Sequence, residues 1–229
     1  MRNHDAMELR EPSPDTSKLR TAEALELRTA ETLELRTPTP DALRLAYERD
    51  LAEAFPPQEL KPLRNIVQMT ARGKYEPLCL YDGGEIAGEC FLWFGNPGWA
   101  LLDYLCITQA RRNDGLGAYL IELMRGRYAD SVIIAEAEAP EHAPEPALAE
   151  RRLDFYFRNG ARLAGVDTEI FGVHYKTLYW AAAPRPDDEI WREHAAIYRT
   201  SFTPDKYERY IRIPRSASAG APSPVAWDA

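Results

Sequence analysis

Residues 111–118 read Arg111-Arg-Asn-Asp-Gly-Leu-Gly-Ala118, and what flanks them decides the fold. Before them runs Ala100-Leu-Leu-Asp-Tyr-Leu-Cys-Ile-Thr108, an apolar strand-like segment. After them, Leu116, Leu120, Leu123 and Met124 fall on one face of a helix. A glycine-containing turn between a strand and a helix leaves backbone N–H groups unpaired at the positive end of the helix dipole. Such a turn is a ready site for phosphate or pyrophosphate. Gly115 and Gly117 carry no Cβ, so a ligand can come close to the backbone. No Gly-Lys-Ser/Thr follows, which excludes a P-loop, and the third glycine of a dinucleotide fingerprint is missing. An isolated Gly-x-Gly is as often a plain surface turn.

The pattern Arg112-Asn-Asp-Gly115-Leu-Gly117 resembles the acetyl-CoA loop of the GNAT acetyltransferase superfamily, Gln/Arg-x-x-Gly-x-Gly/Ala. Three further stretches are similar to that family. Asp103-Tyr-Leu-Cys-Ile-Thr-Gln109 is similar to its fourth strand and exit. Asp154-Phe-Tyr156-Phe-Arg-Asn-Gly160-Ala161 is similar to its motif with a tyrosine four residues before a glycine. Phe55-Pro-Pro57 resembles an N-terminal feature. Together they cover residues 33–182. Asn113, Gln109 and Ala161 depart from the residues most frequent at their positions.

The resemblance implies an α/β protein of GNAT fold. Its sheet would be mixed and mostly antiparallel, with six to seven strands and a central parallel pair. About four helices and a C-terminal helical extension would flank it. It also implies acetyl-CoA as co-substrate and an amine as acceptor, with direct transfer in a ternary complex. The pyrophosphate would lie on the amides of Arg112, Asn113, Asp114, Gly115, Leu116, Gly117 and Ala118. The pantetheine arm would bond the backbone of Leu105, Cys106 and Ile107. Arg111 and Arg112 are further candidates for charge-assisted phosphate contacts.

Acetyl transfer needs a proton acceptor for the amine and a donor for the departing thiolate. Tyr156 is the candidate donor, since a phenol with pKa near ~10 is protonated at neutral pH. A helical stripe of Ala149, Leu153, Tyr156 and Phe157 offers a competing reading, a core tyrosine. For the base, Glu136 and Glu138 share a strand face with Ile134 by the period of two, and Glu138 stands at the strand's end. Asp103, in register with Leu101, Leu105 and Ile107, is a second candidate, needing a partner or a raised pKa if buried. A hydrogen-bonded strand carboxylate is an equally good reading of each. His4, His142, His174 and His194 lack ligand spacing, so no metal site is expected.

The rest of the chain bounds the setting. A net charge of −8 over 229 residues excludes a general nucleic-acid binder. No apolar run approaches a membrane span, and no signal-peptide core opens the chain. Three cysteines, Cys79, Cys90 and Cys106, read as free buried thiols in a reducing, cytoplasmic setting. Leu19-Arg-Thr-Ala-Glu-Ala-Leu-Glu26 is repeated nearly unchanged as Leu27-Arg-Thr-Ala-Glu-Thr-Leu-Glu34. Residues 1–32 therefore read as a repetitive, mobile leader, 33–213 as the domain, and 214–229 as a disordered tail rich in small residues and proline.

Within the domain, Asp41 is the expected N-cap of a first helix to about Ala54, and a second helix is expected over Gln58 to Ala71. Asp82-Gly-Gly84 predicts a hairpin. The strand–helix–strand order over 99–138 predicts a right-handed parallel crossover. Helices over 187–200 and 204–210 are expected to pack on the sheet edge. The acidic stretch Glu136, Glu138, Glu141 and Glu145 points to a cationic acceptor such as a polyamine or lysine-like group. Two readings compete with the enzyme: a non-catalytic acyl-CoA-binding module on the same fold, and an interaction domain acting through the leader and the C-terminal helices. The sequence does not specify an oligomeric state.

Overall fold

The structure, a computed structural model, describes residues 33–57 and 59–214, and its compact unit opens at Glu34. The repetitive leader and the tail from residue 215 lie outside the described residues.

Eight strands form one sheet: β1 (Leu33–Arg36), β2 (Tyr75–Asp82), β3 (Glu85–Phe94), β4 (Trp99–Ile107), β5 (Val132–Glu138), β6 (Arg162–Ile170), β7 (Val173–Trp180) and β8 (Ile211–Arg212). Their order is β1-β2-β3-β4-β5-β7-β6-β8. The two short strands at its ends, β1 and β8, take the sheet beyond the six or seven strands expected. Gly83 and Gly84, at φ 58° and 94°, close the β2–β3 hairpin, as two left-handed residues do in a tight hairpin turn. β4 and β5 pair in parallel, from Trp99 opposite Val132 to Leu102 opposite Ala135. There the ladder ends, although β4 runs on to Ile107 and β5 to Glu138. The two strands part at their C-terminal ends, and both candidate sites open around that gap.

Among the described residues, six helices cover the sheet. Helix α1 starts as Pro40–Leu45, widens into a π-helical segment, Ala46–Leu51, and closes with Ala52–Ala54. Its N-cap is Thr39, whose hydroxyl accepts from the Ala42 amide at 3.2 Å; Asp41 lies in the first turn. Pro40 explains the shift, because proline is preorganised for the first helical position. Helix α2 is Leu63–Ala71, shorter than expected. Pro62 disfavours helical backbone at Lys61, so residues 59–61 form a connecting loop instead.

Helix α3 (Leu116–Arg127) makes the crossover, α4 (Pro146–Arg158) follows β5, and α5 (Asp187–Arg199) and α6 (Pro204–Tyr210) close the domain. Against expectation, α5 does not pack at the sheet edge. Its Tyr198 ring meets Trp93 of β3 edge-on at 5.0 Å, and Ile197 fills the space over Gly95. Ile190, His194, Ala195, Ile197 and Tyr198 are all buried, because the apolar stripe of α5 needs the central strands to cover it.

Phe91, Trp93, Leu101 and Tyr104 share one core with Leu51 and Ile66 of the first two helices and Tyr198 of α5. On the other face, a Cβ at Gly88 would meet Leu120 of α3, and one at Gly117 would meet Phe155 of α4.

Candidate active site

The turn between β4 and α3 takes the shape the glycines allow. Gly115 is the helix N-cap with φ 80°, and Asn113 also sits in the left-handed region at φ 71°. Asparagine is among the few residues that tolerate that region. Beside the turn lies a cleft of about 340 Å³. Leu105, Cys106 and Ile107 form one wall, and Arg112, Asn113, Gly115, Leu116, Gly117 and Ala118 form another. Asp114 is not among the lining residues; its carboxylate accepts from Arg111 Nε at 3.1 Å. Arg111 also reaches Asp82 at 2.8 Å, which ties the turn to the β2–β3 hairpin. Arg112 pairs with Glu53 of α1 at 3.1 Å. Both arginines are thus committed to intramolecular carboxylates.

Phe155, not Tyr156, completes the cleft wall from α4. Tyr156 is half-buried and meets Trp180 edge-on at 5.7 Å. Burial pushes its phenol up to about 12, with Arg152 pulling the other way. Among the described residues its hydroxyl has no hydrogen-bond partner.

The second cavity lies on the opposite face of the β4–β5 gap. It measures about 90 Å³ and is lined by Leu102, Asp103 and Tyr104 of β4, Glu136 of β5, Glu59 and Lys61 of the α1–α2 loop, and aromatic rings from β7, α5 and the β6–β7 turn. Consecutive residues of one strand therefore serve two sites: 102–104 the acidic cavity, 105–107 the cleft.

A bulge makes this possible. Leu92 pairs with Leu102 and Phe91 with Tyr104, so Asp103 is the extra residue of β4. The period of two breaks there, and Asp103 does not share one face with Leu101, Leu105 and Ile107 as alternation implied. Its carboxylate instead takes Lys61 Nζ and the Tyr75 hydroxyl, each at 2.5 Å. Burial pulls the Lys61 ammonium down, and Asp103 pulls it back up. Tyr104 pins the loop that carries Lys61: its hydroxyl accepts from the Lys61 amide at 2.7 Å and donates to the Glu59 carbonyl at 2.9 Å.

Glu136 is held from α5. His194 Nε2 lies 2.7 Å from its Oε1, and the Tyr198 hydroxyl donates at 3.0 Å to both oxygens. Glu138 is approached by Arg152 of α4 at 3.6 Å. Glu59 completes the carboxylate set. Burial pushes it up to about 7, and Glu138 and Glu136 push the same way while Arg152 opposes them. Phe171, at the cavity wall, has φ 48°, a strained value for a phenylalanine in a two-residue turn with Gly172.

The reasoning from sequence missed Glu59, Lys61, His194 and Tyr198. Their spacing carries no signal, since the fold brings them together from elements far apart in the chain. The His142 ring lies tilted by 34° against that of His174, with centroids 4.1 Å apart. The three cysteines are free thiols, and no group of metal-ligating side chains occurs among the described residues.

Cys106 donates from Sγ to Glu89 Oε2 at 2.9 Å behind the cleft wall. Burial pushes the Glu89 carboxyl up to about 8; the Cys106 thiol opposes this, and a hydrogen bond with Asp50 adds to it. A folded-state pKa above the usual value gives stability that is complete at acid pH and is lost as pH rises through about 8. Glu89→Gln is therefore expected to flatten that loss by about 3–4 kcal/mol between pH 5 and 8. Urea unfolding across that range measures it, and parallel curves for the two proteins would refute it.

No family model and no curated protein matches the sequence. Solved structures do. A protein from Bacteroides thetaiotaomicron assigned to the GNAT acetyltransferase family superposes with a TM-score of 0.57 at 20% identity, over 70% of this chain and 94% of its own. The ribosomal-protein-S18-alanine N-acetyltransferase of Escherichia coli superposes at 0.50 and 16% identity, over 67% and 97%. A spermidine N-acetyltransferase from Vibrio cholerae does so at 0.50 and 13%, over 65% and 93%. These likenesses show the fold: the chain has the GNAT acetyltransferase fold.

Proposed function

We propose that the chain is an acetyl-CoA-dependent N-acetyltransferase whose acceptor is a primary amine that arrives as a cation. The observation that carries this reading is the glycine-turn cleft, opening at the splay of β4 and β5, with a carboxylate-lined cavity across the same gap. Backbone amides at a helix start suit a pyrophosphate. Cys106 and its neighbours at the strand end suit an extended pantetheine arm, which can add hydrogen bonds where the parallel ladder has stopped.

Across the gap, Glu59 and Glu136 suit an ammonium group, as in a polyamine or a lysine-like side chain, and the aromatic walls suit its alkyl stem. The spermidine enzyme among the structural neighbours supports that acceptor class. Transfer is direct: the amine attacks the thioester carbonyl, with no acyl-enzyme. Free thiols, buried at Cys79 and Cys90 and half-buried at Cys106, fit a reducing cytoplasmic setting. Among the described residues no helix is long and apolar enough to cross a membrane.

In this reading Tyr156, which stands beside the cleft-wall residue Phe155 on α4 without itself lining the cleft, protonates the departing thiolate once acetyl-CoA fills the splay. Burial keeps its phenol protonated at neutral pH, and among the described residues its hydroxyl is not committed to another group. Tyr156→Phe is expected to lower kcat by about 10²-fold, the usual worth of a positioned acid. Its affinity for acetyl-CoA should be unchanged. Unaltered kcat in the phenylalanine variant would remove Tyr156 from the mechanism.

The whole reading is tested by titrating the protein with acetyl-CoA in a calorimeter, then following CoA thiol release with a panel of amines. Saturable binding and amine-dependent release support it. Binding without release for any amine would favour a non-catalytic acyl-CoA-binding module.

A further inference from the structure

Four carboxylates gather at the β4–β5 gap, and three of them are occupied. Asp103 is held by Lys61 and Tyr75, Glu136 by His194 and Tyr198, and Glu138 by Arg152. Glu59 differs: among the described residues its carboxylate has neither an ion-pair nor a hydrogen-bond partner. Its backbone is nevertheless fixed in place. The Tyr104 hydroxyl grips the backbone on either side of Leu60, through the Glu59 carbonyl and the Lys61 amide.

A general base needs a lone pair that no other cation holds, at a fixed point beside the amine. We propose that Glu59 is that base. The assignment rests on the acetyl-transfer reading and names the group that takes the acceptor's proton. Asp103, Glu136 and Glu138 then become positioning charges around it.

The electrostatics agree. Burial, Glu138 and Glu136 raise the Glu59 pKa to about 7, against Arg152. Lys61, Asp103, Tyr104, Tyr175 and Tyr198 are the other titratable groups facing the same cavity. An alkylammonium with pKa near ~10 loses its proton more readily to a base near neutrality than to an ordinary carboxylate.

The step balances as follows. The ammonium gives one proton to Glu59 and becomes a free amine. Its lone pair forms a C–N bond to the thioester carbonyl, the C–S bond breaks, and the electron pair leaves on sulfur. The nitrogen gives a second proton, through Tyr156, to that sulfur, and Glu59 returns its proton to water. One ammonium and one thioester yield one amide, one thiol and one proton.

The test is a pH profile of kcat/KM for the full chain with acetyl-CoA and spermidine, 1,4-diaminobutane or a lysine-containing peptide. Wild type should lose activity on the acid side with an inflection near pH 7. Glu59→Gln should be slower by about 10²–10³-fold and lack that inflection, while Glu59→Asp retains part of the rate. Acetyl-CoA affinity and melting temperature, measured on the same samples, should match wild type. A glutamine variant that keeps both rate and inflection overturns the assignment and leaves the acetyl-transfer reading standing. Wild type inactive with every amine overturns that reading, and the base with it. Carbon-13 NMR of the Glu59 carboxylate needs no acceptor: titration near 7 supports the proposal, and a midpoint below 5 overturns it.

Discussion

Gly117→Glu is expected to abolish acetyl-CoA binding while leaving the protein folded. Gly117 lies in the first turn of α3 and lines the cleft, so a glutamate there stands where the pyrophosphate would sit. Two like charges ~4 Å apart near a protein surface repel by about 4 kcal/mol, a loss of about 10²–10³-fold in affinity. The fold gains slightly from the same change, because an acidic residue in the first helical turn is worth about 0.3–1 kcal/mol. The added Cβ meets Phe155 Cζ at 3.2 Å, a contact the ring relieves by moving a few tenths of an ångström. Gly117→Ala isolates that steric part and should cost far less than the glutamate. Calorimetry at two salt concentrations reads both effects, since screening weakens the repulsion. Unchanged affinity in the glutamate variant would mean that the cleft beside the turn does not hold the cofactor.

This cleft was the legible half of the site, for local reasons. Every residue that shapes it except Phe155 falls in one stretch, 105–118, and its glycines, strand and amphipathic helix each leave a short-range mark. Hairpin turns were legible for the same reason. What the stretch did not reveal was its far wall. Phe155 and Tyr156 are adjacent on α4, and a helical period does not say which of two neighbours faces the cleft.

The acidic cavity was illegible because nothing in it is local. Glu59 stands in a short loop flanked by prolines, where no period operates. His194 and Tyr198 meet Glu136 only because α5 crosses the sheet face, and an amphipathic helix does not state its destination. Asp103 was noticed, but its bulge inserts one residue into the strand and defeats the alternation used to aim it. Its partner Lys61 precedes it by 42 residues.

That partner gives the second large effect. Lys61→Met is expected to destabilise the fold by about 3–5 kcal/mol, the cost of leaving a buried charge without its counterion. The Lys61 and Asp103 side chains are 2% and 7% exposed, so water cannot take over the role of either. The ammonium also lies 4.5 Å from the centre of the Trp93 ring, a contact the methionine keeps in part through its apolar stem.

Asp103→Asn in the same chain should restore a large part of the loss. A neutral amide still accepts from the Tyr75 hydroxyl and needs no cation. Thermal unfolding reads the difference: a fall of about 10 °C for the single variant, and a smaller fall for the double. The comparison also separates stability from chemistry. Glu59 and Lys61 share the loop gripped by Tyr104, so a variant that loosens the pair also loosens the proposed base. Activity that returns with stability in the double variant would place Lys61 in the scaffold. Activity that stays lost in a refolded double variant would give the Lys61–Asp103 pair a role at the reacting groups beyond stability.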